Sequence, residues 1–338
     1  MTSAKAPNRG IGIAGAVWVV NPMPGSATVT LNHDGTVGLI TGTSDIGSGA
    51  IASGVAQIVA EVLGVPLSDM ILSLTDTDTS SYDGGGQGSR TTRMVGKAAE
   101  LAAREVRAKV LEVAAMLLQT KPDALEMAEG KIFKSASPGV QIALSDVAMA
   151  GTFGGGAIAA SARHAVETES FDPNSAKGLL FPNFPMPTYH VHMAEVEVDP
   201  VTGFVKVVRY IVAQEVGRMI NPDAVIGQVQ GSVAQTIGYT LSESFRMKDG
   251  RCIESSLESY RLPLAVDVPR VEFIPLEHPD PNGPFGARGA GRGARGVAEP
   301  ATLLAPAVIG NAIADAIGKP ISRIPITPED VLAALHGD

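Results

Sequence analysis

The chain has 338 residues, 45% hydrophobic and 18% charged, which is enough to bury a core across about two domains and too apolar for wholesale disorder. Its net charge is −9, and its basic residues gather only in small glycine-bound groups, Arg90 with Arg93 and Arg288 with Arg292 and Arg295; that excludes a nucleic-acid polymer as the partner and suits a small anion. The single cysteine, Cys252, rules out an internal disulfide and a cysteine-held iron–sulfur cluster.

In chain order, residues 1–9 read as a polar tail without the apolar run of a signal peptide. Residues 27–43 alternate apolar and polar side chains around Asp34-Gly35, which predicts a β-hairpin. Apolar residues at helical spacing over 48–65 predict a helix ended by Gly64. A strand is expected over 69–79, then a glycine and hydroxyl loop that opens into a long amphipathic helix ending near 118. Residues 151–182 are rich in Gly, Ala, Pro and Asn and read as an irregular link. A second strand pair is expected over 189–217 around a Pro-Val-Thr-Gly turn, followed by a helix over 224–241, a strand over 270–278 and a helix over 302–318. Strands and helices alternate without a regular βαβ period. The expected fold is α+β with two lobes, 10–150 and 183–338, the second carrying the loop 283–300, "GPFGARGAGRGARGVAEP". No stretch approaches the ~20 apolar residues of a membrane span, so a cytoplasmic protein is expected.

Two G-x-G-x-x-G matches occur, Gly10-Gly12-Gly15 and Gly291-Gly293-Gly296. A dinucleotide site needs a strand before the motif and a helix after it; the first match follows a polar tail and the second lies in a loop, so neither reads as such a site. "GGGQGSRTT" (84–92) is more informative. Backbone N–H groups at a helix start, Gly88 among them, form an anion site, to which Ser89, Thr91 and Thr92 add hydroxyls and Arg90 adds charge. A plain helix cap needs one hydroxyl rather than three, so a phosphate-type ligand is the better reading. His190 and His192 share one face of a strand, but no Cys or carboxylate at a matching spacing completes a metal site, and they read as two partly exposed strand histidines. Asp76, Asp78 and Asp83 read as solvated acidic turns. Glu299 leaves two readings open: a general base in a glycine-lined pocket near Arg295, or an acid at a helix start just before Pro300. The residues alone put the helix-start reading slightly ahead.

Several stretches together resemble one family, the molybdenum hydroxylases, such as xanthine dehydrogenase and aldehyde oxidoreductase. They are "MPGSATVTLNHDGTVGLITGTSDIGSG", "TDTDTSSYDGGGQGSRTT", "EVGRMINPDAVIGQVQGSVAQTIGY", "SYRLPLAVDVP", "EHPDPNGPFGARG" and "GARGVAEPATLLAPAVIGNAIADAIG", in the family's order over nearly the whole chain. The resemblance is to the C-terminal half of the molybdopterin-binding subunit. It implies a medium-type subunit of a split enzyme, like the nicotinate dehydrogenases. The partners would be a large molybdopterin subunit carrying the N-terminal half, an iron–sulfur subunit and an FAD subunit. The implied cofactor is molybdenum with molybdopterin, as the cytosine dinucleotide in many bacteria, with no metal ligand from this chain. Its phosphates would lie on Gly88, Ser89, Arg90 and Thr91, and Gln228 would contact the pterin. Ser48 in "DIGSG" stands where the family has a glutamine. Glu299 matches the catalytic glutamate of "GxGEP", with Ala298 in place of a glycine. "GARG" occurs twice, and the spacing of Glu299 to "NAIADAIG" selects the second copy, so seven extra residues must bulge. The implied reaction is hydroxylation of an N-heteroaromatic or aldehyde carbon with oxygen from water. The alternative is a non-catalytic cofactor-binding or scaffold subunit; a stand-alone anion-binding protein is a third class.

Overall fold

The structure, a computed structural model, describes residues 6–73, 75–166, 187–278, 280–285 and 293–337. The chain begins with strand β1 (Arg9–Val19), then the hairpin β2 (Gly25–Leu31) and β3 (Val37–Thr41). A π-helical turn, Ala50–Val55, leads into α1 (Ala56–Leu63), and β4 (Met70–Leu72) follows. A second π-helical turn, Thr91–Val95, opens α2 (Gly96–Leu117). Next come β5 (Leu125–Ala128), β6 (Lys131–Lys134), β7 (Ser137–Ala143), α3 (Leu144–Gly154) and β8 (Ala159–His164). The second half holds β9 (Pro187–Val198), β10 (Val205–Glu215), α4 (Pro222–Leu241), β11 (Met247–Lys248), β12 (Arg251–Cys252), β13 (Val271–Leu276), α5 (Ala305–Ile317) and α6 (Pro328–His336).

Two mixed four-stranded sheets organise the α+β fold. The first runs β4-β3-β2-β8 and the second β1-β9-β10-β13. In β2 every second residue is buried, as expected of a sheet with one covered face. That face meets α2, whose buried stripe is mostly alanine: Ala98, Ala99, Ala102 and Ala103. Small side chains let the helix approach closely, and Gly25 admits the turn that leads into it, where a Cβ would come within 2.8 Å of the Val95 nitrogen. The second core packs Ala194, Val196, Tyr210 and Val212 of β9 and β10 against α4 and α5. Charge pairs tie the lobes together: Arg93–Asp280 at 2.6 Å and Arg218–Glu61 at 2.8 Å.

The structure differs from the sequence reading in identifiable places. Residues 9–19 were expected as tail and first lobe, yet β1 pairs with β9 along its whole length and belongs to the second sheet. Its Gly10 and Gly12 explain the first glycine motif. A Cβ on Gly12 would come within 1.9 Å of the Val308 carbonyl oxygen and one on Gly10 within 2.0 Å of that of Ala312, so these glycines admit the α5 backbone rather than a nucleotide. The expected link 151–182 starts as the end of α3 and then β8, which completes the first sheet beside β2; residues 167–182 lie outside the described residues. The strand expected over 69–79 is only three residues long. The three-stranded sheet β5-β6-β7 was not anticipated. One helical stretch, Glu299–Ile317, is long and apolar enough to cross a membrane, against the expectation of none. Val308, Ile309, Ala312 and Ile313 on it are completely buried in the second core, which accounts for its apolar character.

Candidate active site

The glycine loop 84–89 is built on a buried ion pair. Arg90 and Asp83 have fully buried side chains 2.6 Å apart. The guanidinium also donates to the carbonyls of Met23 (3.0 Å), Pro24 (2.6 Å) and Gly85 (2.7 Å). All its donor directions are thus satisfied by protein, because a guanidinium carries five N–H groups in one planar fork. Arg90 therefore staples the loop to the start of β2, and its charge is neutralised by Asp83. The expectation that this charge meets a ligand phosphate, and the reading of Asp83 as a solvated turn, both give way to that pair. Asp76 is an ordinary turn acceptor, bonded by the Asp78 N–H at 2.8 Å.

Above the staple, Gly88 (φ 64°) and Ser89 (φ 56°) both take the left-handed conformation. Gly88 is required there: a Cβ would sit 2.5 Å from the Asn21 Cβ, and its carbonyl accepts the Asn21 N–H at 3.1 Å. Across the gap from the second lobe runs the strap 293–302. Gln214 donates to the Val297 carbonyl (2.8 Å), Ser232 to that of Ala298 (3.2 Å), and the Thr302 hydroxyl to that of Glu299 (2.8 Å). Gly296 lets the strap touch the loop, since a Cβ there would meet the Ser89 carbonyl oxygen at 2.4 Å. Arg295 turns away from Glu299 and donates to the Pro187 carbonyl (2.6 Å) and that of His278 (3.2 Å), with Glu215 at 3.7 Å. Residues 286–292, which hold the first "GARG" copy's glycines and the expected bulge, lie outside the described residues.

Loop and strap bring Ser89 and Glu299 together, 210 residues apart. The Ser89 hydroxyl donates to Glu299 Oε2 at 2.6 Å and accepts the Glu299 N–H at 3.1 Å; the Gly88 N–H donates to Oε1 at 3.2 Å. Glu299 opens a short 3-10 turn, so its helix-start position and its place in a pocket coexist. It faces a cavity of about 400 Å³ between the lobes. Ser48, Ser89, Thr91 and Gln228 line the same cavity, as does Arg90. Gly88 contributes its N–H to Glu299 beside the cavity.

Three helix beginnings line this cavity: the turns at Ala50 and Thr91, and the start of α4 at Asn221 and Ala224. Asn221 caps α4, its Oδ1 accepting the Ala224 N–H at 3.0 Å with Pro222 at the first helical position. Helix starts carry partial positive charge, so three of them favour negative over positive charge in this cavity. Gly47 (φ 95°) and Gly85 (φ 86°) lie on the loops that bound it, where a side-chain Cβ would meet no atom within 4 Å. The sequence reading missed Asn221 and Arg218, which also line the cavity; the Asn-Pro pair before an apolar helical run was the available signal for the first. Arg218 lies over the Phe285 ring at 4.3 Å.

The histidines are a correction. His190 and His192 are buried, not partly exposed, because inward positions of β9 face the α4–α5 layer. His192 Nδ1 lies 3.0 Å from the Tyr210 hydroxyl, and burial pushes this imidazole down to about 3. Among the described residues no group of three or more His, Cys, Asp or Glu could hold a metal ion.

Comparison with known proteins bears on what the cavity holds. Residues 2–269 match the model of the molybdopterin cofactor-binding domain. The chain is 33% identical over 314 residues to the 6-hydroxypseudooxynicotine dehydrogenase complex subunit gamma of Paenarthrobacter nicotinovorans, covering 91% of this chain and 37% of that one. It is 30% identical to the nicotine 6-hydroxylase large subunit of the same organism, covering 92% and 37%. Among solved structures, quinoline 2-oxidoreductase from Pseudomonas putida 86 superposes with a TM-score of 0.79 at 26% identity, over 97% of this chain and 42% of that one. The chain thus spans about two fifths of the length of these relatives. With the domain model covering well over half of its residues and the fold shared with such a structure, the chain belongs to the molybdopterin cofactor-binding domain family of the molybdenum hydroxylases.

Proposed function

We propose that this chain is the medium-type molybdopterin-binding subunit of a heteromeric molybdenum hydroxylase, with Glu299 as its general base. One observation carries the reading: a carboxylate and three helix beginnings face a single glycine-lined cavity between the lobes. The helix beginnings suit the anionic end of a molybdopterin, and the cytosine dinucleotide form would extend the phosphate contacts. Ser48, Thr91 and Gln228 would hold the group through hydroxyl and amide contacts. Arg90 would serve it through its backbone and through the loop it staples, not through its charge. The cofactor, when bound, supplies two-electron redox chemistry and the point at which water-derived oxygen enters the product. Glu299 would accept the proton given up by the water-derived oxygen, while the two electrons from the substrate C–H bond pass to the cofactor. An N-heteroaromatic substrate is favoured, because relatives named for nicotine and quinoline share the fold and the sequence.

The rest of the enzyme would come from partners. The chain spans 37% to 42% of its relatives, and the outward face of the second sheet is exposed among the described residues. On that face Ile13, Val17, Tyr189, Val191 and Ile274 are exposed, an apolar row fit for a large subunit carrying the remaining length. Electrons would leave through iron–sulfur clusters and FAD on further subunits, since one cysteine holds no cluster. Glu299→Gln in the assembled enzyme tests the base. Turnover should fall by about 10² to 10⁴ with molybdenum content unchanged. Unchanged turnover would leave this chain as a cofactor-binding scaffold.

A further inference from the structure

We propose that Ser89 is a positioning residue for Glu299, not a ligand of the cofactor's phosphate. This rests on the reading of Glu299 as the base and adds to it the group that aims the carboxylate. A serine hydroxyl has one proton to donate. Here that proton goes to Glu299 Oε2 at 2.6 Å, so none is left for a phosphate oxygen. The same oxygen accepts the Glu299 N–H at 3.1 Å, which ties main chain and side chain of the glutamate to one point. The Gly88 N–H on the other carboxylate oxygen, at 3.2 Å, fixes the plane of the group.

Ser89 is itself held. The Asn21 N–H donates to the preceding carbonyl at 3.1 Å, Arg90 staples the loop from below, and Gly296 packs on the Ser89 carbonyl. Its backbone is at φ 56°, where glycine costs less, and the chain uses glycine at 84, 85, 86 and 88 around it. A strained non-glycine residue in such a loop points to work done by its side chain. Glycine would relieve the backbone and remove the hydroxyl, and that opposition makes the proposal testable.

The experiment compares Ser89→Gly and Ser89→Ala in the purified assembled enzyme, beside Glu299→Gln. Both Ser89 variants should lose about tenfold to a hundredfold in kcat, with KM within about twofold and molybdenum retained, as expected for a misaimed catalytic group. Subtracting the infrared spectrum of Glu299→Gln from that of the parent isolates the Glu299 carboxylate bands, and these should move in both Ser89 variants. Full activity in Ser89→Gly with loss only in Ser89→Ala would show a backbone role and overturn the proposal. Loss of molybdenum from both would make Ser89 a cofactor ligand and overturn it too. If Glu299→Gln is inactive while the Ser89 variants turn over normally, positioning fails and the base stands. If Glu299→Gln turns over normally, the base fails and takes the positioning role with it.

Discussion

Arg90 shows how one side chain can look like a ligand group in sequence and serve as a staple in the fold. Its guanidinium and the Asp83 carboxylate are both fully buried, and a buried pair is costly to break because the remaining charge has no solvent. Arg90→Ala should therefore lower folding stability by about 3–5 kcal/mol, read as the shift of a urea unfolding curve. A variant that unfolds like the parent but no longer retains the cofactor would return Arg90 to the anion site. Glu299 is the opposite case. Its neighbours Ser89 and Gly88 come from another lobe, so no local pattern around residue 299 could reveal them.

At the scale of elements, close backbone approach decides several positions. Gly12 lies where β1 crosses α5, and a Cβ there would collide with backbone oxygen rather than with a movable side chain. Gly12→Ala should cost about 1–3 kcal/mol or more, visible as a lowered melting temperature, whereas a nucleotide-binding role would leave stability unchanged. Elements with a clean period were legible in the sequence. The hairpin β2–β3, the strands β9 and β10, and helices α2 and α4 follow from alternation or helical spacing together with their turn residues. Strand β1 was not legible, because Gly10, Gly12, Ala14 and Ala16 occupy its inward positions and erase the large apolar alternation that marks a strand. Sheet β5-β6-β7 was missed because β5 and β6 are four residues each and β7 is almost wholly exposed. The cavity was legible in part: Gln87, Ser89, Thr91 and Thr92 of "GGGQGSRTT" line it, while the contribution of Asn221 and α4 depends on how the lobes meet. The family resemblance rested on quoted stretches, not on any period.

For the whole molecule, the buried His192 and the half-buried His164 contribute to the response to acid. Burial lowers His192 to about 3, with His190 adding to the effect, and burial followed by Arg93 and Lys97 lowers His164 to about 4. An unfolded histidine takes a proton near 6.5, which the native state refuses. Stability from these sites is therefore complete above about pH 6.5 and falls as pH drops toward 4 and 3. His192 contributes up to about 1.4 kcal/mol per pH unit in that window, and the less buried His164 contributes less because solvent screens it. Urea midpoints should decline as pH falls from about 6.5 to 5, and His192→Phe should flatten the decline; a parent curve flat over this range would contradict the depressed His192 and His164.

The lobes, the cavity between them and the open apolar sheet face converge on one claim, that this chain holds a molybdenum cofactor inside a larger assembly. The most direct measurement is molybdenum per chain by elemental mass spectrometry, on protein purified under mild conditions from its native host with co-eluting subunits identified. The account predicts close to one molybdenum per chain, together with a larger partner chain and an iron–sulfur subunit. A folded chain that elutes alone and carries no molybdenum would contradict it.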